Sequence, residues 1–396
     1  MRRSPSERWL SRCASVGEGV QVTGPVLVRG HGEVVIGDGV VLDAAAAPIE
    51  LNATSGARLE LGARVHLGPG TSIEAAELVV LGADAVVGPF GKILDNNWHG
   101  TGADRRETPQ SSPVLVGAGA RVGTRATLLP GAGLGDGAML LDDSVLSRRV
   151  PDGHVVTGVP ARLARGAEAA GPTPPDDVRP FQRIEVGPGA VGPRTLRWLL
   201  AVERMDSPDL PRVLRPVLGR LDALFAWAIA RWQWRTAQVL GRAYVYGPID
   251  VINDGEIEIG DGVNLRGGPL RSRIVVGSGA RLAIGVSTAA TPGVAAQSVI
   301  NYGVFLSAQT SVQIGARCLM GSRVLITDQL GDLAGPVVIE DDVWLAHGVT
   351  VLPGVTIGRG AAVSAGTVVD RDIPPGSLAF GAPVRFRPLS NFGAAK

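Results

Sequence analysis

One short stretch concentrates the residue types that can do chemistry: Leu94 to Gln110, reading LDNNWHGTGADRRETPQ. It sets Asp95 and Asn97 at alternate positions before His99, places Trp98 beside the histidine, and follows with Arg105 and Arg106. An imidazole, with an ordinary pKa of about 6.5, can exchange a proton near neutrality. A guanidinium offers forked donors to a phosphate or carboxylate. The chain has five histidines, His31, His66, His99, His154 and His347, and they are too widely separated to form a local metal-ligand pair. Cys13 and Cys318 lie in separate parts of the chain, which is no disulfide framework and suits a reducing compartment.

The elements that must position these residues follow from a period of six. Leu61, Leu67, Ile73 and Val79 are six apart, and Leu81, Val87 and Ile93 resume the beat after a slip of two. The spacing then breaks across LDNNWHGTGADRRETPQ and returns at Val116, Val122, Leu128, Leu134, Leu140 and Leu146. Later come Ile314, Met320 and Ile326, then Ile339, Leu345, Val351, Ile357, Val363 and Val369. Such a period means a short strand and a turn, repeated, with one aliphatic side chain per unit pointing inward. Glycine often follows the periodic residue, as in Leu61-Gly62 and Ile357-Gly358, and is expected to supply the backbone angles of the turn.

A longer regularity overlies the short one. IGDGV at Ile36–Val40 recurs at Ile259–Val263, 223 positions on, and GVPAR at Gly158–Arg162 recurs as GAPVR at Gly381–Arg385 at the same offset. One domain is therefore used twice, over 1–165 and 241–396. Between these anchors the second copy gains residues around Gly285–Tyr302 and loses about as many between Ile326 and Ile339. The segment 166–240 joins the copies. It opens with the Pro/Gly/Ala-rich GAEAAGPTPPDDVRP and continues with an amphipathic helix expected over 212–240. Leu214, Leu218, Leu221, Phe225, Ala228, Trp232 and Val239 form its stripe. This helix is expected to pack against a solenoid or a sister helix; weak contact with a membrane surface is the rival reading.

Bulk properties narrow the classes. Thirty-eight Lys and Arg against thirty-seven Asp and Glu leave a net charge of +1, so no overall field favours nucleic acid. Glycine, at 55 residues, is about twice its usual share. No apolar run has the length of a signal sequence or membrane span. The expected setting is cytoplasmic, with peripheral attachment to the inner membrane face as the variant.

PPGSLAFGAPVR (Pro374–Arg385) and DDVWLAHGVTVLPGVTIG (Asp341–Gly358) resemble the last coils of the hexapeptide-repeat O-acyltransferases, the group of maltose, galactoside and xenobiotic acetyltransferases. The resemblance covers both copies. It implies an all-β solenoid: two tandem left-handed parallel β-helix domains joined by the linker and helix. It implies transfer of an acetyl or other short acyl group from coenzyme A to a hydroxyl of a carbohydrate or glycan-like acceptor, by a homotrimer without metal. His99 matches the family's general base, and Asp95 is assigned to orient its imidazole. Asn97, Trp98, Arg105, Arg106, His66 and Asn301 are assigned to the acceptor side, with His66 taken as the first copy's counterpart of Asn301. Gly158, Arg162, Gly381 and Arg385 are assigned to the coenzyme. In the second copy Asp328 aligns with Asp95 in ITDQLGDLAGPVVI, which has no histidine and a loop ten residues shorter, so that copy is expected to lack the base. The rival readings are a non-catalytic scaffold or carbohydrate-binding assembly protein and, lower, a metal protein like the γ-class carbonic anhydrases.

Overall fold

The computed structural model describes residues 10–97, 110–164, 226–228, 230–231, 234–247, 249–268, 270–287 and 298–389. The chain forms two compact units. Each is a stack of three-sided coils. In one coil of the first unit, Arg58–Leu61, His66–Leu67 and Ser72–Ala75 are the three strands, and Leu78–Leu81, Val86–Val87 and Lys92–Leu94 are those of the next. Neighbouring coils pair in parallel and in register, with Leu81 on Leu61, Val87 on Leu67 and Ile93 on Ile73. The described strands make parallel stacks of seven, eight and six in the first unit and six, eight and six in the second; the last strand of each eight runs antiparallel.

The periodic aliphatics point inward as expected. Leu61, Leu67, Ile73, Val79, Leu81, Val87 and Ile93 are fully buried, and so are Ile339, Leu345, Val351, Ile357, Val363 and Val369 in the second unit. A second buried position lies two residues earlier in each repeat: Val65, Ala85, Ala120 and Ala126, then Val343, Val349, Val355 and Ala361. Many six-residue units thus contribute one large and one small or medium apolar side chain, while Thr71, Ser144 and Thr367 put a buried hydroxyl at the second position. Burying a single Leu or Ile yields about 1.5–3 kcal/mol, so a column of such residues supplies the cohesion that strands of two to four residues cannot.

The glycine after each periodic residue has a different cause from the one expected. Gly62 does not adopt a positive φ; that conformation falls two residues later, at Arg64 (φ 58). What Gly62 avoids is a steric clash with the coil above, because a Cβ there would lie 2.8 Å from the Ala83 nitrogen and 2.9 Å from the Leu81 oxygen. At six left-handed turn positions that carry Arg or Asp instead of glycine, ion pairs span successive coils. Arg64 grips Asp84 (φ 62) through bonds of 2.7 and 2.6 Å. Arg125 holds Asp143 in the same way, and Arg317 holds Asp342.

The segment before the second solenoid also departs from expectation. Residues 226–228 and 230–231 are helical, but Gln238–Val239 is a strand pairing with Glu258–Ile259, so the helix does not reach 240 and the second solenoid begins before 241. The buried face of the described helix is Ala226 and Ala230, continued by Trp234, while Ala228 is exposed. The stripe assigned from sequence is therefore two residues out of phase at this end. Ala230 and Trp234 join the second core beside Ala243, Val245 and Ile257, and Leu10 joins the first. Solenoid cores are open at their ends and need such caps. Leu214, Leu218, Leu221, Phe225 and Trp232 lie outside the described residues.

Candidate functional site

The regular coil of the first unit opens at one corner, after the strand Lys92–Leu94. Asp95 follows, completely buried, and its carboxylate is saturated by the preceding coil. Oδ1 accepts the Ala76 N–H at 2.7 Å and the Asn96 side-chain amide at 3.0 Å; Oδ2 accepts the N–H groups of Glu77 and Leu78, both at 2.8 Å. Three consecutive turn amides thus receive their partner from one side chain. The returning chain is fixed on the same turn. Ser112 donates its N–H to the Asp95 carbonyl at 2.7 Å, Ser111 donates its hydroxyl to Glu77 Oε2 at 2.8 Å, and Asn96 bridges Ser111 antiparallel.

The second unit repeats this socket. Asp328, also fully buried, accepts the N–H groups of Gln309, Thr310 and Ser311 at 2.7, 2.6 and 2.7 Å, and its carbonyl accepts the Gly335 N–H at 3.0 Å. Here the excursion is a hairpin of Gln329–Leu330 against Leu333–Ala334, with both leucines exposed. The sequence pairing of Asp95 with Asp328 is therefore a structural equivalence. Among the described residues, both oxygens of Asp95 hold the turn. Trp98, His99, Arg105 and Arg106 lie outside the described residues; Asn97, half-buried, is the last described residue before them.

The other assigned residues do not converge on this corner. His66 stands on the outward side of the second face, stacked between Val41 and Val86. Its counterpart in the second copy is Val299, because Leu67 and Ile300 occupy the same inward position and Asn301 falls one residue beyond. The pairing of His66 with Asn301 is thus corrected: the extra residues before Ser298 moved the numbering without moving the register. Asn301 caps its own turn, its Oδ1 accepting the Tyr302 N–H at 3.2 Å. His347 faces Ser322 Oγ at 2.7 Å through Nδ1, a contact within the coil corner. Gly158 and Gly381 share a device as well. Each has a strongly positive φ and donates its N–H to a hydroxyl of the coil before, Ser144 at 2.9 Å and Thr367 at 3.3 Å. Those amides are committed internally, and what the final turns present outward are the exposed Arg162 and Arg385.

Sequence reasoning passed over one cluster beside the socket. Lys92 is an outward position on the third face, where a lysine would ordinarily be solvated, yet it is 5% exposed. Its ammonium bonds Ser72 Oγ at 2.9 Å and pairs with Glu74, whose carbonyl in turn accepts the Asp95 N–H. Glu50 and Thr127, in register on either side, are buried too. The signal available was two charged residues, Glu74 and Lys92, one coil apart on either side of the strand pair. Among the described residues, no group of three or more His, Cys, Asp or Glu is placed to hold a metal. Nor is any described helix long and apolar enough to cross a membrane.

Residues 336–371 match the bacterial transferase hexapeptide (six repeats) family. A candidate acetyltransferase of Schizosaccharomyces pombe is 56% identical over 50 residues, covering 13% of this chain and 24% of its own. One of Staphylococcus aureus is 54% identical over 52 residues, covering 13% and 26%. One of Saccharomyces cerevisiae is 37% identical over 90 residues, covering 23% and 44%. The chain thus spans about a quarter of the length of the first two relatives. Among solved structures, an N-acyltransferase from Bacillus cereus in complex with dTDP and coenzyme A aligns at 16% identity and a TM-score of 0.35, over 41% of this chain and 88% of that one. A galactoside acetyltransferase with coenzyme A aligns at 17% identity and 0.26, over 42% and 72%. Scores this low carry no weight for function.

Proposed function

We propose that the chain is a coenzyme A-dependent O-acyltransferase whose first copy moves an acetyl or other short acyl group onto a hydroxyl of a carbohydrate-like acceptor. One observation carries the reading: the regular coil is interrupted after Leu94, and the segment that bears His99 leaves and returns at Asp95, whose buried carboxylate holds the preceding turn and whose carbonyl accepts the Ser112 N–H. A solenoid face offers a lattice of short side chains; a proton-transfer group must be carried out from it on an insertion. The family match within the second copy agrees with acyl transfer.

The chemistry asked of the chain is modest. A hydroxyl is a poor nucleophile near neutral pH, and an imidazole of ordinary pKa, about 6.5, takes its proton as the oxygen attacks the thioester carbonyl. The carbon–sulfur bond then breaks, and the imidazolium returns that proton to the leaving thiolate. Backbone N–H groups of the turns would steady the oxyanion. Trp98 and Asn97 would face the acceptor, and Arg105 and Arg106 would meet anionic groups. The final turns fit a phosphate-bearing coenzyme through Arg162 and Arg385, with Gly158 and Gly381 holding the turn that displays them.

For the second copy, with an apolar hairpin in place of the loop, we propose an assembly role within a homotrimer. Its exposed Leu330 and Leu333, and the outward ladder Phe305, Leu325, Thr350 and Val368, support that reading. The test is direct. Purified protein given acetyl-CoA and a panel of sugars and polyols should release free coenzyme A and acetylated product, and His99→Ala should abolish both. A wild type inert on every acceptor and unable to bind coenzyme A would leave the scaffold reading standing. Light scattering should give three times the 40.9 kDa chain mass, and Leu330→Ser with Leu333→Ser should lower it.

A further inference from the structure

One device recurs at the turns between coils, and the second copy alters it at one corner. An aspartate in the middle of a turn accepts the N–H of the residue beneath it in the preceding coil: Asp136 that of Ala118 at 2.8 Å, Asp142 that of Thr124 at 2.7 Å, and Asp341 that of Ala316 at 3.0 Å. One face further along the coil of Asp341, His347 takes this position above Ser322. A Cβ on Gly321 would lie 2.6 Å from the His347 nitrogen, just as one on Gly315 would lie 2.6 Å from that of Asp341. Here the contact runs from side chain to side chain, with Ser322 Oγ 2.7 Å from His347 Nδ1. The N–H of Ser322 has no hydrogen-bond acceptor among the described residues. Ser322 is buried and His347 half-buried. The first copy has no such pair: Met320 and Leu345 stack as Val87 and Val122 do, so Pro89 and Thr124 stand where Ser322 and His347 do.

We propose that Ser322 and His347 form a nucleophile–base pair that cleaves acyl oxygen esters, a further activity housed in the second copy. It stands apart from the reading of the first copy, since it uses neither His99 nor coenzyme A. With the imidazole protonated at Nε2, Nδ1 accepts the Ser322 hydroxyl and takes its proton as Oγ attacks the ester carbonyl. The carbon–oxygen bond to the leaving alcohol or phenol breaks, the imidazolium returns the proton to it, and an O-acyl serine remains. Water then adds with His347 as base, the carboxylic acid departs, and Oγ recovers its proton. The uncapped N–H of Ser322 can receive charge on the carbonyl oxygen, as the nucleophile's own amide does in serine hydrolases. Leu319 and Trp344, half-buried outward rungs in register on the face leading into this corner, supply an apolar wall for the acyl or aryl part of the ester.

The experiment mixes the full-length protein with p-nitrophenyl acetate. Wild type should release a burst of p-nitrophenolate approaching about one per chain. Quenched samples should carry an acetyl ester on the peptide bearing Ser322, removable by neutral hydroxylamine, which spares acetyl-lysine. Ser322→Ala should abolish the burst and the label. His347→Asn separates chemistry from structure, because its amide can replace Nδ1 as a hydrogen-bond partner without acting as a base. It should melt within about 4 °C of wild type while acylation slows at least about 100-fold. An unlabelled Ser322 in wild type, a burst that survives Ser322→Ala, or acylation in His347→Asn within about three-fold of wild type would overturn the proposal. If the variants do not fold, the wild-type label decides by itself: an acetyl ester on Ser322 supports the proposal, and its absence refutes it.

Discussion

Lys92→Leu should be among the most damaging single changes on the outer surface of the first solenoid, and the second copy says how to repair it. Register places Lys92 opposite Leu325 of the second copy, and Glu74 opposite Ser307. The same ladder has thus been built once with a buried ion pair and once without. In the first copy the Lys92 side chain is 6% exposed and that of Glu74 18%. Removing one member of a buried pair costs about 3–5 kcal/mol because the other is left charged and desolvated. Glu74 keeps some access to water, so about 2–3 kcal/mol is the expected loss. Lys92→Leu with Glu74→Ser removes both charges and should bring the loss to about 1 kcal/mol or less, since an apolar replacement of a buried pair is often neutral. Urea denaturation followed by circular dichroism measures this, with Leu325→Ala as a control confined to the other unit. Separate transitions for the two solenoids are expected, so the midpoint assigned to the first unit is the quantity compared. A Lys92→Leu variant within about 0.5 kcal/mol of wild type would refute the reasoning. So would a double variant worse than the single.

Three further outcomes follow from the turns. Gly62→Ala should cost about 1–3 kcal/mol by forcing the stacked backbones apart, more than Gly119→Ala, where φ is 64 but nothing lies within 4 Å of the added carbon; thermal melts of both decide. The guanidinium of Arg64, bonded to Asp84, holds that carboxyl below its ordinary range. A lowered folded pKa stabilises fully above the unfolded value near 4 and is lost as pH falls through the folded one, so Arg64→Gln should reduce the stability difference between pH 7 and pH 3. Finally, replacing residues 329–334 with 96–111 should fold with a melting temperature within about 4 °C of wild type, because Asp328 already makes the socket bonds. An aggregated or unfolded product would show that the sockets are not interchangeable.

Much of this architecture can be read from the residues, because the inward column imposes a strict period on Leu, Ile and Val. The loop was visible for the same reason, as a gap between Ile93 and Val116. What the pattern hides is why a residue is there. Gly62 looks like a turn former, and only the stacked coil at Ala83 shows it to be a clearance. Nothing in the spacing of Asp95 shows that its carboxylate also holds the turn Ala76–Leu78, a coil away. Lys92 occupies an outward position where charge is unremarkable, so nothing in the sequence marks its burial. The pairing of His66 with Asn301 failed for a simpler reason: a motif-level alignment cannot locate a ten-residue gain to within one position, whereas a buried Ile300 can.

The second copy gains residues between Gly285 and Ser298 and sheds as many between Asp328 and Gly335, and its core remains in step with the first at Met320, Ile326 and Ile339. A corner can therefore be lengthened, shortened or re-equipped without any residue in the column having to answer for it. Heritable change in such a chain is modular at the scale of a single bend. Two duplicates can drift to different trades, one carrying a reactive segment and one a greasy tip, while their interiors stay under the same selection.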